Sequence, residues 1–496
     1  MLVTSFAISI FIYRRINVRN IITYDFGESL ILVSKVNSNQ LAITKKNFDN
    51  KKELEIFLIK NHMFDEIPFS FTNHLNYFKT IYICLHSSAG CNLNCKYCFN
   101  KEKSNNSISF EDSKKFIDLL ITRFPNAGKY IVDPTGSGEP LLKMDLMLEI
   151  AKYCKEKSNQ IRKEVLPMLV TNGTLLHKDN VKLLQNAGYI FGISIDGTKK
   201  QHDANRIFPL GKGSYNTIIK NIKQIKEKQY LGGAVTLTKS NQDVLTTFLH
   251  LKKIFPTISI KPVRNFNKNG GIDETNVEQI KREYTKLNQY LLRKTLAGNL
   301  NDVGILLNGD DYFGKFLTRV ILNQKVLTRC DTGVGRMSLT ADNKIVSCPG
   351  AIGIPELEIG TLNEGFDDKK IENIWSTLSN KSKCSDCEAN FVCGGECLVV
   401  SYYSHNRIDG FDLVMCNLKK HLFYLAVLFK FAILNHSLDL YEILYEGCQT
   451  KTKRFDEDLE LKAVLSKTNN QYSFQELKNV KDNFKEEFNR IKRETL

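Results

Sequence analysis

The chain is 496 residues long, 42% hydrophobic and 25% charged, the profile of a folded globular protein and not of a disordered or membrane-embedded one. That length exceeds one ordinary core and implies two or three domains. The formal net charge of +15 is spread along a Lys-rich sequence without a clustered basic and aromatic block. No nucleic-acid partner is therefore expected, while an acidic peptide is compatible with the charge.

In chain order, residues 2–13 are apolar but have no positive n-region and no small-residue cleavage site. They are also shorter than the ~20 residues a membrane-spanning helix needs, so no membrane span is expected. They read as a strand, a helix or the product of a misplaced start codon. Residues 21–44 read as a β-hairpin, and 51–62 as a helix opened by Asp49. From 79 to about 296, short apolar runs at 80–85, 129–133, 165–171, 189–195, 233–238 and 258–263 alternate with helical patterns. The helical runs are 111–124, 144–157, 178–186, 215–228, 242–254 and 277–296. Strands alternating with helices of this length imply βαβ units and a parallel sheet. Six units are too few for a closed eight-stranded barrel, so the expected fold is α/β, an open, partial (β/α)6 TIM-like barrel. Ligands of such sheets bind at the carboxyl ends of the strands.

Residues 300–420 change character: seven cysteines lie between Cys330 and Cys416 among turn residues, as in a small domain held by metal more than by a core. Residues 421–446 read as a strongly apolar helix, with 422–434 interrupted only by Lys430, and 473–493 as a charged amphipathic one. The apolar helix is expected to be buried against the cysteine-rich domain or a second subunit, and the charged stretch around 451–458 to be a solvated linker. The organisation expected is an N-terminal hairpin–helix region at 1–78, a barrel at 79–299, a cysteine-rich domain at 300–420 and a helical extension at 421–496.

Thirteen cysteines at tight spacings suggest metal or catalysis in a reducing, cytoplasmic compartment, not disulfides. The first group, Cys91-Asn-Leu-Asn-Cys95-Lys-Tyr-Cys98, sits just after the first barrel strand. Three thiolates on one short loop can hold three irons of a [4Fe–4S] cluster and leave the fourth open to a small molecule. Zinc is the alternative, although structural zinc sites usually build from C-x2-C pairs closed to four ligands. The second strand ends in Thr135-Gly-Ser-Gly-Glu-Pro, the third in Thr171-Asn-Gly-Thr, and the fourth in Ser194-Ile-Asp-Gly with His202, Asp203 and Arg206 following. Each is an ordinary turn alone; together they set polar groups at the ends of consecutive strands. The second cysteine region reads Cys330-x17-Cys348, then Cys384-x2-Cys387-x5-Cys393-x3-Cys397-x18-Cys416. Seven thiolates do not divide into closed four-ligand zinc sites. Cys84, Cys154 and Cys448 stand at no ligand spacing and read as buried small hydrophobes.

The triplet with an aromatic before its last cysteine and the three strand-end turns together resemble the radical S-adenosylmethionine (SAM) superfamily over roughly residues 79–265. The resemblance implies that Cys91, Cys95 and Cys98 bind a [4Fe–4S] cluster whose open iron chelates SAM. Reductive cleavage of SAM then gives a 5′-deoxyadenosyl radical that abstracts hydrogen from a C–H bond. It further implies that Tyr97 packs near the adenine, and that Gly138 and Glu139 meet the SAM amino group. Ser194 and Arg206 would contact the ribose and carboxylate region, and Val263 would line the adenine side. Ser137 stands where the family usually has the first of two glycines. The second cysteine region resembles the SPASM domain, which carries two auxiliary [4Fe–4S] clusters. By that resemblance Cys384, Cys387, Cys393 and Cys416 hold the outer cluster, and Cys330, Cys348 and Cys397 the inner one, which has only three cysteine ligands. Asn343 takes the place of the glycine that pattern expects five residues before Cys348, and Asn also tolerates a left-handed turn.

The function implied is that of a peptide maturase, an oxidoreductase installing a thioether or carbon–carbon crosslink, or a related change, in a ribosomally made precursor peptide. Its partners would be that peptide and a low-potential electron donor of the flavodoxin or ferredoxin type. The hairpin and helix before residue 80 offer a sheet edge to a leader peptide. The rival enzyme is an anaerobic sulfatase-maturating one that forms formylglycine. Against it, residues 331–346 lack the extra cysteine of that group, and Pro349 stands where it carries an Asp after the second-region cysteine. A non-enzymatic Fe–S scaffold or carrier is the alternative of another class, disfavoured by an open-site triplet beside SAM-type turns.

Overall fold

The computed structural model describes residue 18 and residues 20–26, 29–44, 51–65, 80–100, 103–225, 231–264, 270–380 and 382–455. The expectations for 2–13, Asp49 and 473–493 lie outside them. At the N-terminus, β1 (Ile21–Phe26), β2 (Ser29–Ser34) and β3 (Gln40–Thr44) form a three-stranded antiparallel sheet in that order, followed by α1 (Lys51–Lys60). The sequence suggested a hairpin; a third strand forms because Asn37 and Asn39 bind the loop after α1 and hold a tight turn. The faces alternate in the two-residue period of a strand. Leu30, Leu32 and Ile43 meet α1 in a small core, while Ile31 and Val33 point into the main one.

The barrel strands follow in chain order: β4 (Thr80–Leu85), β5 (Lys129–Asp133), β6 (Glu164–Thr171), β7 (Ile190–Ser194), β8 (Leu231–Leu237) and β9 (Thr257–Pro262). Each pairs in parallel with the next. The covering helices are α2 (Phe110–Arg123), α3 (Met144–Ile161), α4 (Lys178–Asn186), α5 (Lys199–Asp203), α6 (Tyr215–Ile222), α7 (Val244–Leu251) and α8 (Val277–Leu296). Helix α2 shows why they form where they do. Ser109 caps its first turn by accepting from Asp112 N at 3.0 Å, and Ser113, Phe116, Ile117 and Leu120 bury one stripe at helical spacing.

After α9 (Asn301–Leu307) and α10 (Tyr312–Ile321), strand β10 (Arg336–Leu339) pairs in parallel with the free side of β4. Strands β11 (Lys344–Val346), β12 (Glu358–Thr361) and β13 (Gly365–Phe366) extend it antiparallel, so one ten-stranded sheet runs β13-β12-β11-β10-β4-β5-β6-β7-β8-β9. Asn343, in the β10–β11 turn, adopts φ +61°, the left-handed conformation its sequence position calls for. The β9 edge is covered by the loop before α10, where Asp311 accepts Ile260 N at 2.8 Å.

Helices α11 (Asp368–Ser379), α12 (Asn390–Cys393) and α13 (Leu398–His405) carry or flank the second cysteine region, and α14 (Leu413–His436) and α15 (Leu438–Phe455) follow. The apolar helix expected at 421–446 is two helices broken at Ser437, and it starts early enough to place Cys416 in its first turns. Asp412 fixes that start: its carboxylate caps Met415 N at 2.8 Å and binds Arg264 Nε at 2.6 Å. Leu422, Phe423, Ala426, Val427 and Phe429 of α14 are buried, as the all-round apolar pattern requires. Their partners are α8 of the barrel and α10. The segment 451–455, expected as linker, is the end of α15. One continuous apolar cluster runs from Ile31 through the barrel to Cys448. Cys154 and Cys448 are buried in it, and Cys84 is buried on β4. No helix among the described residues is long and apolar enough to cross a membrane.

Candidate active site

The loop leaving β4 carries Cys91, Cys95 and Cys98, all partly buried. It is tied at both flanks to turns at the carboxyl ends of other strands. Asn94 N and Lys96 N donate to the carbonyls of Ile207 and Asn205 at 2.7 and 3.1 Å. On the other side, Asn172 after β6 donates through Nδ2 to Asn92 Oδ1 at 2.8 Å and lies 3.9 Å from Cys91 Sγ, while Asn92 donates to Thr174 Oγ1 at 2.8 Å. Burial pushes the Cys95 thiol up to about 11, opposed by Arg206 and reinforced by Cys91 and Cys98. Burial likewise raises Cys91, whose sulfur accepts Leu93 N at 3.4 Å.

Three partly buried thiols on one short loop, with N–H donors at Cys91, suit a [4Fe–4S] cluster, which spreads its thiolates over separate irons.

Gly138 and Glu139 lie against this loop. Glu139 N donates to Gly90 O at 2.8 Å, and a Cβ on Gly138 would stand 2.1 Å from Gly90 O and 2.4 Å from Ser88 O. Glycine is therefore required for the turn to seat on the cysteine loop. The Glu139 carboxylate is buried and accepts Thr171 Oγ1 at 2.6 Å, Asn172 N at 2.8 Å and Leu141 N at 3.2 Å. Burial raises its pKa and these hydrogen bonds oppose the rise. Gly138 thus anchors the turn, and Glu139 joins the ends of β5 and β6. A carboxylate has roughly four lone-pair sites, which leaves Glu139 capacity for one ligand donor.

Tyr97 and Arg206 meet at a residue the sequence reading quoted but did not select. Asp196, two residues after Ser194, is fully buried. Its Oδ2 accepts Tyr97 Oη at 2.6 Å and Arg206 Nε at 3.0 Å, its Oδ1 accepts Thr236 N at 3.0 Å, and the Arg206 guanidinium lies 5.3 Å from the Tyr97 ring centre. His202 supports the hub by accepting Asp196 N at 3.2 Å, with its other nitrogen 2.8 Å from Ser214 Oγ. Ser194 ends β7 on the face of Asp196, half-buried. Val263 follows β9, donating to Leu237 O at 3.2 Å and accepting Ile272 N at 2.7 Å. No described contact joins either residue to the Tyr97–Arg206 pair. Asp196 and Asn172 were legible only as members of turns; a buried acid at a strand end, near an arginine and a tyrosine, was the available signal.

The second cysteine region divides in space. Cys384, Cys387, Cys393 and Cys416 line one cavity of about 320 Å³, together with Lys383, Lys419 and Lys420. Cys330 and Cys348 are drawn to a second location, where Thr332 Oγ1 and Gly333 N both donate to Ser347 O at 2.9 Å; burial pushes their thiols up to about 11 and 12, with Cys397 reinforcing both. Ser338 of β10 stands opposite both Cys84 of β4 and Val346, two residues before Cys348, which sets this location beside the first barrel strand. The segment from Cys393 to Cys397 spans the two groups. Gly394, at φ +78°, lies so close to Thr328 and Arg329 that a Cβ would come within 2.6 Å of their backbone. Four thiols around one cavity suit a fully ligated cluster, and the trio suits one with an open iron.

Residues 85–249 match the Radical SAM superfamily model. A cysteine-type anaerobic sulfatase-maturating enzyme of Clostridium novyi (strain NT) is 27% identical over 332 residues, 63% of this chain and 86% of that protein. An AdoMet-dependent heme synthase of Methanosarcina barkeri is 25% identical over 333 residues, 62% of this chain and 88% of that one. Among solved structures, native anSMEcpe with bound AdoMet and Kp18Cys peptide superposes with a TM-score of 0.59 at 19% identity, covering 72% of this chain and 100% of that one. At that identity the likeness is one of fold.

Proposed function

We propose that this chain, whose residues 85–249 match the Radical SAM superfamily model, binds a [4Fe–4S] cluster on Cys91, Cys95 and Cys98, cleaves SAM and modifies a ribosomally made precursor peptide. The observation that carries this is the cysteine loop, hydrogen-bonded to the turns after β5, β6 and β7, at the ligand-binding end of the sheet. When bound and reduced, the cluster with SAM supplies a 5′-deoxyadenosyl radical. The chain's own work is positional. Glu139 offers a carboxylate to the SAM amino group beside Cys91. Arg206, held by Asp196, presents a cation to its carboxylate region, and Tyr97 gives a ring face to the adenine side. Ser194 and Val263 border the same mouth. The seven later cysteines are assigned to two auxiliary clusters, the four around the cavity to one and Cys330, Cys348 and Cys397 to the other. An open iron on the trio would take a substrate thiolate and hold it near the radical.

A peptide substrate and a low-potential electron donor follow from this reading, as does a reducing, cytoplasmic setting. The β1–β2–β3 sheet ends in β1 and β3, which pair with no further strand among the described residues, an arrangement that suits strand addition by a leader peptide. A second reading, sulfatase maturation, is favoured by the Clostridium novyi relative. Incubating the reduced, reconstituted protein with SAM tests the common core. 5′-Deoxyadenosine should form, and replacing Cys91, Cys95 and Cys98 with alanine should abolish it and remove about a third of the iron. Continued 5′-deoxyadenosine formation by the triple variant would refute the assignment. Mass spectrometry of a Cys-containing sulfatase peptide against peptides encoded beside the gene separates the two readings.

A further inference from the structure

Lys419 is a lysine that the proposed SAM chemistry does not use, yet it is only 2% exposed. It lies three residues after Cys416 on α14, hence on the same helical face, and lines the cavity of the four outer cysteines. Its ammonium donates to Gly395 O at 3.1 Å and to Glu396 Oε1 at 3.0 Å. Glu396 is itself buried, takes Cys397 N at 2.8 Å on the same oxygen, and has no described partner for Oε2. One buried ion pair thus ties α14 to the five-residue segment joining an outer cysteine, Cys393, to an inner one, Cys397. The other charges at the cavity are of a different kind. Lys420, paired with Glu388, is 48% exposed, and Asp386 is 89% exposed, so solvent and salt screen them.

A cluster ligated by four thiolates carries net negative charge, which grows by one on reduction. A buried cation beside it favours the reduced form and a buried anion the oxidised form, at low local dielectric. Lys419 lines the cavity of the four cysteines and Glu396 does not, so the cation is the nearer charge at the outer site. Replacing such an ion pair with apolar groups would often cost nothing in stability, which makes a purely structural reason for keeping it weak.

We propose that the buried Lys419–Glu396 pair sets the reduction potential of the outer auxiliary cluster, Lys419 raising it and Glu396 moderating the rise. The inference rests on the reading of Cys384, Cys387, Cys393 and Cys416 as cluster ligands. The step concerned is a one-electron reduction of the cluster by an external low-potential donor, with no bond made or broken.

The test is a potentiometric titration, with dithionite as reductant and electron paramagnetic resonance as readout. It uses the reconstituted full chain carrying Cys91→Ala, Cys95→Ala and Cys98→Ala, so that only auxiliary clusters contribute. Adding Lys419→Met should lower the reduced-to-oxidised ratio of the outer cluster at fixed potential about tenfold, a downward shift of about 59 mV. Lys419→Arg should leave the midpoint near its starting value, and Glu396→Gln should move it upward. Opposite signs for the two charge removals distinguish tuning from loosened packing, which would move both alike. A Lys419→Met midpoint within twofold of the parent ratio, with iron retained, overturns the proposal. So does loss of the outer cluster from both Lys419→Met and Glu396→Gln, which would make the pair structural. Iron for only one auxiliary cluster in the parent removes the ligand reading itself, and the proposal with it.

Discussion

Asp196 is the residue on which the arrangement at the barrel mouth most depends, and its replacement gives a quantitative test. Asp196→Ala leaves the Arg206 guanidinium buried without its counter-ion, a change that costs about 3–5 kcal/mol when one partner of a buried pair is removed. Asp196→Asn keeps the shape and one acceptor but loses the charge on the Tyr97 and Arg206 hydrogen bonds, costing about 1.5–3 kcal/mol. Tyr97→Phe removes one of those bonds and leaves Arg206 paired, so it should cost less than either. Two measurements check this: guanidinium-induced unfolding of the apoprotein and calorimetric titration of the reconstituted protein with SAM. Loss of about 1.4 kcal/mol of binding would weaken SAM tenfold, and Asp196→Asn should reach at least that. The double variant Asp196→Asn with Arg206→Met should lose less than the sum of the singles, because the two share one interaction. If Asp196→Asn unfolds within 0.5 kcal/mol of the parent, the usual scatter of a surface change, and binds SAM unchanged, the hub does not organise the site.

Gly138→Ala should displace the cysteine loop, because the added methyl meets the Gly90 and Ser88 carbonyls well inside contact distance; wild-type iron content and SAM cleavage in that variant would contradict the packing. The imidazole of His202 is held down to about 4 by burial, with Asp196 opposing. Its folded value lies below the unfolded one of ~6.5, so its contribution is full above that pH and is lost as pH falls towards 4, at most about 3 kcal/mol. Non-titrating His202→Gln should therefore show a shallower loss of stability over that window, and an identical slope would exclude His202 as the cause. Truncation after Leu418 removes fully buried Phe423 and Phe429, each worth about 3–5 kcal/mol, against a typical total stability of about 5–15, and should give insoluble protein. Truncation after Gly447 should retain SAM cleavage, and a soluble, active product from the shorter chain would place α14 outside the core.

What the sequence determined by itself is what short-range spacing encodes. The two- and three-to-four-residue periodicities located the six barrel strands and their helices to within a few residues, because burial on one face repeats with the element's own geometry. The cysteine spacings separated a first triplet from a later group, and Asn343 marked a left-handed turn, since each depends on residues a few positions apart. The tertiary structure decided what long-range packing controls. Tyr97 meets Asp196 across 99 residues, and Asn172 meets the cysteine loop across 80. Glycine at 138 is required because another turn presses against it, which no local pattern records. The start of α14 was equally hidden: its apolar stretch was plain, but its beginning is set by Asp412 bound to Arg264, 148 residues earlier. A buried Lys419 reads in sequence as one more surface lysine. Only the fold buries it, at the cavity that four cysteines line.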